Sequence, residues 1–402
     1  MLSFRITLET LTPLFLGGAE ARGAPELRPP AFRGALRYWL RAAIAGLTDA
    51  DEDQVREIEA SVFGSPDEDS GGASAVTVRI SPRDLKTPIA YDRNAMGFTK
   101  TINKFDRDVR QPSGRNYLYW SMSESGKVER GNHLPAKKYF PEHSTFDLVL
   151  TARPGAKPLA FQRAVAALWL LVQFGGLGSR SRRTAGSLGV IGQAEFAGLK
   201  FHLQGATPQA LADELRTGLG LALGMMGIGH PVAVSRPGFD ALNLEHDTCS
   251  IWVLGSQWTT WNQAVDDLGD KLCTFRTYSP PDHDNVIRWI NGASISTVER
   301  SVFGLPIPYR YTSGPQGVIQ GRPASGRQTE INRRASPLWL KISKTTTGKY
   351  VAVATLFKAD FLPSGEKLHL AKSHSPAVTP PKDYSLIETW IRSSFTALEV
   401  TR

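Results

Sequence analysis

Apolar and polar residues alternate at the start of the chain, and this alternation predicts a β-strand over residues 3–10. Phe4, Ile6 and Leu8 fall on one face of this strand, while polar side chains occupy the other. Similar runs predict strands at 75–81, 116–122, 145–151, 190–196, 250–254, 338–343 and 350–357. Helical spacing of apolar residues predicts helices at 31–46, 51–62, 159–173, 261–275, 284–300 and 384–394. The order of these elements indicates an α+β protein.

The helix predicted over 31–46 carries two neighbouring stripes. Its apolar stripe consists of Leu36, Trp39, Leu40, Ala43 and Leu47. Arg33, Arg37 and Arg41 form a basic stripe beside it. No acidic residue stands three or four positions away in the helix to pair with them, so we predict that these arginines bind phosphates. A solvated helix edge is the alternative interpretation.

A short motif occurs twice, each time at the end of a predicted helix. Ser61-Val-Phe-Gly in the first half matches Ser301-Val-Phe-Gly in the second, and the elements around the two motifs follow the same order. Strand, helix, two strands, helix and strand make up a ferredoxin-like (RRM-like) module. The sequence therefore predicts two such modules in tandem, at 1–200 and 201–402, the second with a helical linker or insertion.

A glycine-rich loop over 175–189 follows the helix at 159–173. Glycines permit left-handed and tight backbone conformations, so several amide groups can point into one anion-binding concavity. Planar guanidinium groups suit bidentate contacts with phosphate. The predicted polyanion site comprises Gly175, Gly176, Gly178, Ser179, Arg180, Arg182 and Arg183. An ordinary turn with solvated arginines is the alternative. The loop has no Gly-Lys-Ser/Thr ending, so it is not a nucleotide-binding P-loop.

Two long segments add further basic residues. The stretch 83–115 has weak periodicity and includes Lys100 and Lys104, and the stretch 314–335 ends with Arg333 and Arg334. Loops of this length are usually functional or disordered. We include these four residues among the candidate phosphate contacts, with a merely flexible surface loop as the alternative for each segment.

Composition points to an anionic partner. The 402 residues carry a formal net charge of +9, which favours binding to nucleic acid. Two cysteines, Cys249 and Cys273, cannot form a disulfide framework or a four-cysteine zinc site. The longest apolar run is too short to cross a bilayer and the start has no signal-like core. We expect a cytoplasmic protein without a membrane partner or a cofactor.

Catalysis is the competing hypothesis. The eight histidines show no spacing typical of a metal site on a helix. His230, in a glycine-rich turn, is the best candidate for a general base, and Asp106 with Asp108 is the best candidate for a pair of catalytic carboxylates. A structural histidine and a salt-bridged loop are the simpler interpretations, so we favour a binding protein over an enzyme.

Several phrases together resemble the RAMP superfamily of CRISPR-associated RNA-binding proteins. The loop 175–189 resembles the glycine-rich loop that is typical of that family. The phrase Thr12-Pro-Leu-Phe-Leu-Gly-Gly, together with the run 26–41, is similar to the first-numbered subunits of type III-B (Cmr) effector complexes. Arg333-Arg-Ala-Ser-Pro-Leu-Trp resembles the second-half motif of the same family. The resemblance implies a non-catalytic subunit that contacts guide (CRISPR) RNA, target RNA and other Cmr subunits, with the basic residues named above on the RNA backbone. An endoribonuclease of the RAMP type is the alternative that it leaves open. Ala31 departs from the serine that relatives often carry.

Overall fold

The computed structural model describes residues 2–49, 51–65, 72–94, 98–102, 108–126, 131, 133–229, 237–243, 245–278, 282–310, 316–322, 333–371 and 375–400; at 98–102, 108–112, 278, 310, 316 and 322 only the backbone is described. The strands are β1 (Ser3–Thr10), β2 (Val76–Asp84), β3 (Ile89–Ala90), β4 (Phe98–Ile102), β5 (Asp108–Pro112), β6 (Lys138–Tyr139), β7 (Thr145–Ala152), β8 (Leu188–Ile191), β9 (Glu195–Phe196), β10 (Leu199–Lys200), β11 (Cys249–Trp258), β12 (Ile307–Arg310), β13 (Gln316–Arg322), β14 (Leu338–Lys344), β15 (Tyr350–Phe357), β16 (Lys367–Leu370) and β17 (Ala397–Glu399). The helices are α1 (Pro29–Leu47), α2 (Glu52–Phe63), α3 (Gly114–Tyr119), α4 (Pro158–Phe174), α5 (Pro208–Gly224), α6 (Trp261–Tyr278), α7 (Asp282–Ile290) and α8 (Ser385–Ser394).

Each half of the chain builds a four-stranded antiparallel sheet. The strand order is β2-β7-β1-β8 in the first sheet and β14-β15-β11-β17 in the second. In both sheets the strand that comes first in sequence lies between the last two: β1 lies between β7 and β8, and β11 lies between β15 and β17. The predicted α+β class with antiparallel sheets is therefore confirmed.

The two sheets and their helices stack in four layers. Helices α1, α4 and α5 share one apolar core with the inner faces of both sheets, so they lie between them. Trp39 of α1 shows how closely the middle layer contacts the second sheet, because its ring lies 5.4 Å from that of Trp339 and 6.0 Å from that of Phe357. Helices α6 and α8 cover the far face of the second sheet in a separate core. One face of the first sheet remains in solvent.

Two glycines allow α3 of the first half to lie against α6 of the second. A Cβ atom at Gly114 would overlap the Asp266 carbonyl, and one at Gly269 would overlap the Gly114 carbonyl. Asp266 also accepts hydrogen bonds of 2.9 Å from the Arg115 amide and Nε. Since the backbone of one half contacts the backbone of the other here, the two halves are in direct contact. We call this boundary between the halves the seam.

Some predicted elements are corrected by the structure. Residues 116–122, predicted as a strand, form the end of α3 and a short 3-10 helix at Trp120–Met122. The helix predicted over 284–300 ends at Ile290 and is followed by a separate 3-10 helix at Glu299–Phe303. The strand predicted over 190–196 divides into β8 and β9. Strand β17 has no counterpart in the sequence-based prediction.

Candidate nucleic-acid interface

The glycine-rich loop 175–189 is packed between the two halves of the protein. On one side the Ser179 amide donates to the Phe15 carbonyl at 2.8 Å, and the Gly186 amide donates to Pro13 at 2.8 Å. On the other side the Thr184 amide donates to the Leu340 carbonyl on the free edge of β14 at 2.9 Å. These amides are satisfied within the protein, so they do not point into the anion-binding concavity that the sequence predicts.

The glycines of the loop are explained by close packing. Gly178 and Gly186 have φ of 78° and 65°, and a Cβ atom would overlap the Phe15 carbonyl at the first and the Leu177 carbonyl at the second. A Cβ atom at Gly175 would overlap the indole of Trp39, and one at Gly176 would lie 3.0 Å from the Ala185 carbonyl oxygen. These glycines therefore let the loop fit tightly and hold its arginines at the seam.

Arg180 and Arg183 come together with Arg276 of α6. Arg180 Nε donates to the Leu118 carbonyl at 2.6 Å, Arg183 Nη2 to the Phe303 carbonyl at 3.0 Å, and Arg276 Nη1 to the Tyr117 hydroxyl at 2.7 Å. None of the three pairs with a carboxylate in the described part of the chain. We call these three residues the seam arginines.

The seam arginines lie close enough to affect one another's pKa, and they have no carboxylate partner among the described residues. Burial, with Arg276 and Arg180 nearby, lowers the pKa of Arg183 to about 9, which leaves the group charged at neutral pH. Burial also lowers the pKa of Arg180. Arg180 adopts a left-handed backbone with φ of 63°, and such conformations in residues other than glycine concentrate at functional sites. Three like charges held together without a counterion provide a local field that attracts an anion.

Arg182, by contrast, is used inside the protein. Its guanidinium donates to the Ser336 carbonyl, pairs with Asp240 at 3.3 Å, and lies over the rings of Tyr38 and Trp339 at 5.3 and 4.7 Å. The Tyr38 hydroxyl donates to Asp240 at 2.6 Å, and the Trp339 indole donates to that hydroxyl at 3.0 Å. This network ties α1 to β14, so the contacts of Arg182 are those of a residue that joins the halves.

The helix α1 arginines are not an unpaired row, and this corrects the sequence interpretation. Arg37 and Arg41 both reach Glu59 of α2, at 3.0 and 3.1 Å. The partner comes from another helix, which intrahelical spacing cannot reveal. Arg33 lies one turn earlier in α1 and has no carboxylate partner among the described residues; its Nε is buried without an acceptor. The surplus charge of the stripe is therefore concentrated at Arg33.

The repeated Ser-Val-Phe-Gly motif has the same local structure in both halves. Gly64 and Gly304 both take positive φ, at 76° and 116°, directly after the helix. The carbonyl of Phe63 accepts from Arg37 at 2.8 Å, and that of Phe303 accepts from Arg183 at 3.0 Å. An arginine thus binds the carbonyl at both turns, Arg37 from the same half at the first turn and Arg183 from the other half at the second.

Arg333 and Arg334 lie beside the second motif. The backbone of Arg334 pairs with Leu305 in both directions, at 2.8 and 3.2 Å, and Arg334 Nη2 donates to the Asp360 carbonyl at 3.3 Å. Arg333 is exposed. Since Arg183 binds the adjacent Phe303, the structure brings the glycine-rich loop and Arg333–Arg334 to neighbouring positions around residues 303–305.

Three basic residues at the seam were not among the sequence candidates. Arg276 lies one residue beyond the helix predicted over 261–275, and Arg22 and Lys137 stand in irregular segments. Lys137 Nζ donates to Ser179 Oγ at 2.7 Å, and Arg22 donates to the carbonyls of Ser121 and Ser123 at 3.0 and 3.1 Å. No local pattern marks these residues, because only the tertiary fold brings them to the loop.

Several sequence candidates cannot be placed. Lys104, Asp106 and His230 lie outside the described residues, and only the backbone is described at Lys100 and Asp108. Among the described residues no group of three histidine, cysteine, aspartate or glutamate side chains is arranged to hold a metal ion. No helix in the described ranges is long and apolar enough to cross a membrane.

A polar groove of about 370 Å³ opens between the two halves at a separate position. Its lining includes Glu9, Gln173, His202 and Lys341. Lys341, on the face of β14 that contacts the first half, is only 2% exposed and donates to the Ile342 carbonyl and Ser343 Oγ at 3.1 and 2.9 Å. Burial lowers the pKa of Lys341 to about 7, since the described residues provide no carboxylate partner for it.

Comparison with known proteins gives a consistent result. The RAMP superfamily matches residues 7–188. The Cmr subunit Cmr1-2 of Pyrococcus furiosus is 31% identical over 186 residues, which cover 46% of this chain and 92% of that protein. Cmr1-1 of the same organism is 25% identical over 368 residues, covering 90% of each chain.

Solved structures share the fold. The crystal structure of apo Cmr1 from P. furiosus superposes with a TM-score of 0.61 at 21% identity, covering 100% of this chain and 99% of the other. A chain of a type III-B Cmr-beta complex bound to cognate target RNA superposes with a TM-score of 0.53 at 12% identity, covering 98% and 99%. The identity and coverage of the Cmr1 relatives, together with the RAMP match, show that this chain belongs to the Cmr1 family of the RAMP superfamily.

Proposed function

We propose that this protein is a non-catalytic RNA-binding subunit of a type III-B CRISPR effector complex. In this role it holds the 3′ part of the guide RNA, the paired target RNA, or both, beside other Cmr subunits. The Cmr1 relatives are named as Cmr subunits, and the Cmr-beta complex that contains a chain of similar fold is bound to target RNA. These similarities support the assignment to such a complex.

The observation that carries the RNA-binding role is the group of seam arginines. Arg37 and Arg41 have their charge balanced by Glu59, whereas Arg180, Arg183 and Arg276 have only carbonyl and hydroxyl acceptors among the described residues. A phosphodiester backbone would provide the missing negative charge. Contacts of this kind position RNA without reading its sequence.

We also propose a role for each group of candidate residues in this interface. The seam arginines, Ser179, Arg333 and Arg334 form its centre, and Arg33 extends it along α1. Gly175, Gly176 and Gly178 shape the loop, while Arg182, Arg37 and Arg41 hold its supporting elements together. Lys100 and Lys104 remain predicted contacts.

The topology supports two ferredoxin-like modules, which we assign to 1–200 and 201–402. Each half has the element order β-α-β-β-α-β, if the additional short elements are left out, and each sheet places its first strand between its third and fourth. In this assignment α5 belongs to the linker of the second module, although it packs in the middle layer with α4.

The test is a titration of fluorescently labelled single-stranded RNA at two salt concentrations. The double variant Arg180→Gln/Arg276→Gln should bind at least about 10-fold more weakly than the wild type, with a shallower dependence on salt, because two phosphate contacts are lost. The matched control is Arg56→Gln, which removes an exposed arginine from α2. Circular dichroism checks that each variant is folded.

Two results would overturn the proposal. One is that the wild type binds RNA and the double variant binds it as tightly as the control variant does. The other is cut RNA on a denaturing gel of the same samples, with or without Mg²⁺, which would assign the protein to the ribonucleases.

A further inference from the structure

Trp120 is unusual among the nine tryptophans of this protein because its side chain faces solvent. It is 59% exposed, whereas the other eight are buried or half-buried. It stands at the start of the 3-10 helix that continues α3, next to the seam. An exposed indole at this position has no role in the two apolar cores of the protein.

Positive charge surrounds the segment that carries Trp120. Arg22 donates to the carbonyls of Ser121 and Ser123, one and three residues after Trp120. Arg180 donates to the Leu118 carbonyl at 2.6 Å, two residues before it. The Lys137 amide donates to the Met122 carbonyl at 2.8 Å, and its ammonium group donates to Ser179.

Capping of a helix end explains only part of this arrangement. The C-terminus of a helix carries about half a negative charge, and nearby cations stabilise it. Arg22, Lys137 and Arg180 together bring three positive charges, and none of them pairs with a carboxylate in the described ranges. Arg276 adds a fourth on the neighbouring Tyr117 hydroxyl. The positive charge around the exposed indole therefore exceeds what the helix end requires.

An aromatic face flanked by cations matches the chemistry of single-stranded RNA. Bases stack on aromatic side chains regardless of sequence, while lysine and arginine contact the adjoining phosphates. A protein surface that binds another protein through an exposed tryptophan has no need of neighbouring cations that lack carboxylate partners. Charge complementarity thus favours a nucleotide as the partner.

We propose that Trp120 is a stacking platform for one base of single-stranded RNA, with the adjoining phosphates on Arg22, Lys137 and Arg180. This site rests on the proposed RNA-binding function and deepens it, since it adds base stacking to the backbone contacts of the seam arginines. It binds an unpaired nucleotide, because a base within a duplex has no free face.

The experiment compares Trp120→Ala and Trp120→Phe with the wild type in binding a labelled 12-nucleotide oligouridine. Trp120→Ala should weaken binding about 5- to 100-fold, the range expected for loss of one stacked base, and Trp120→Phe should retain most of the affinity. A ribose-phosphate oligomer of equal length without bases should bind the wild type and Trp120→Ala equally. Leu221→Ala, which removes another exposed apolar side chain, is the control.

Tryptophan fluorescence provides an independent reading. Because Trp120 is the most exposed of the nine, RNA should quench the emission of the wild type more than that of Trp120→Phe. If the isolated wild type binds no RNA, the same variants are compared in the complex reconstituted with the other subunits.

The outcomes separate this proposal from the one on which it rests. If the wild type binds RNA and Trp120→Ala binds it equally well, the stacking site is wrong and the RNA-binding function stands. If Trp120→Ala keeps its RNA affinity but no longer assembles with other subunits, Trp120 is a protein contact and the proposal is overturned. If the wild type binds no RNA either alone or in the complex, the proposed function itself fails.

Discussion

The two sheets have the same strand order but differ in what covers them. The first sheet packs α1 and α4 against one face and leaves the other in solvent, whereas the second sheet is covered on both faces. The burial patterns of the strands show the same difference. In β1 buried and more exposed residues alternate, while all eight residues of β15 are buried. Alternation is typical of a sheet with one wet face, and continuous apolar runs are typical of a sheet buried on both sides.

This difference separates the present structure from the usual RNA-binding mode of RRM-like sheets. Such sheets stack bases on aromatic residues of their open face. The open face of the first sheet carries small, branched and charged residues and no aromatic side chain; its residues include Ser3, Arg5, Thr7, Glu9, Thr77, Arg79, Ser81, Asp84, Thr145, Asp147, Val149, Thr151, Gly189 and Ile191. The second sheet offers no open face. The seam between the halves is therefore the better candidate for RNA.

The largest change in stability is expected when a carboxylate is placed on the central part of each sheet. Val253→Asp buries a charge on the covered second sheet and should lower the free energy of unfolding by more than about 4 kcal/mol, since Val253 is fully buried. Val149→Asp, on the open face between Arg5 and Arg79, should change it by less than about 0.5 kcal/mol. Urea denaturation measures both, and equal losses would contradict the assignment of covered and open faces.

A medium effect is expected at Lys341, a charge on the covered face. Its pKa of about 7 lies below that of a lysine in the unfolded chain, about 10.4, so between these values the unfolded state binds more protons and stability rises with pH. Below pH 7 the penalty is constant. The wild type should therefore become more stable from pH 7 to 9.5, whereas Lys341→Met should not. The free energy of unfolding of the variant minus that of the wild type should fall by about 1–3 kcal/mol over this range.

The control for this measurement is Lys344→Met, which removes a lysine from the exposed end of the same strand. If the two variants showed the same pH dependence relative to the wild type, burial of Lys341 would not be the cause.

The smallest effect is expected on the open face of the first sheet. The double variant Arg5→Gln/Arg79→Gln removes two exposed cations that lie on either side of Val149. If RNA binds at the seam, its affinity should fall by no more than about twofold, since only long-range attraction is lost. Fluorescence anisotropy with the labelled RNA measures this, and a loss as large as that of Arg180→Gln/Arg276→Gln would move the interface onto the open sheet.

Local patterns predicted much of the fold. The predicted bounds of β1 and β15 agree with the structure, and α1 ends at Leu47, one residue beyond its predicted end. Helix α1 begins two residues before the predicted start because Pro29 suits the first helical position. The segment 116–122 was assigned wrongly because its tyrosines and tryptophan favour strands, while Ser113 caps a helix and α6 packs against it. Tertiary contact overrode propensity there.

The site was predictable only in part, for a related reason. Glycines and arginines that stand close in sequence marked the loop 175–189, and the structure does place Arg180 and Arg183 at the seam. Whether an arginine is paired depends on residues far away in the chain. Glu59 neutralises Arg37 and Arg41, Asp240 pairs with Arg182, and Arg276 joins the cluster from another helix. No spacing along the chain reveals these partners.

The middle helix layer also has a consequence for synthesis of the protein. Helix α1 ends at Leu47 and α4 at Phe174, whereas β11 begins at Cys249 and β15 at Tyr350, so both helices leave the ribosome before the strands that cover their outer sides. Domains generally fold as units from the N-terminus during translation, and exposed apolar surface makes a partly folded chain prone to aggregation. One side of α1 and α4 therefore stays uncovered until the second sheet has been synthesised, and we expect the nascent chain to be most prone to aggregation during this interval.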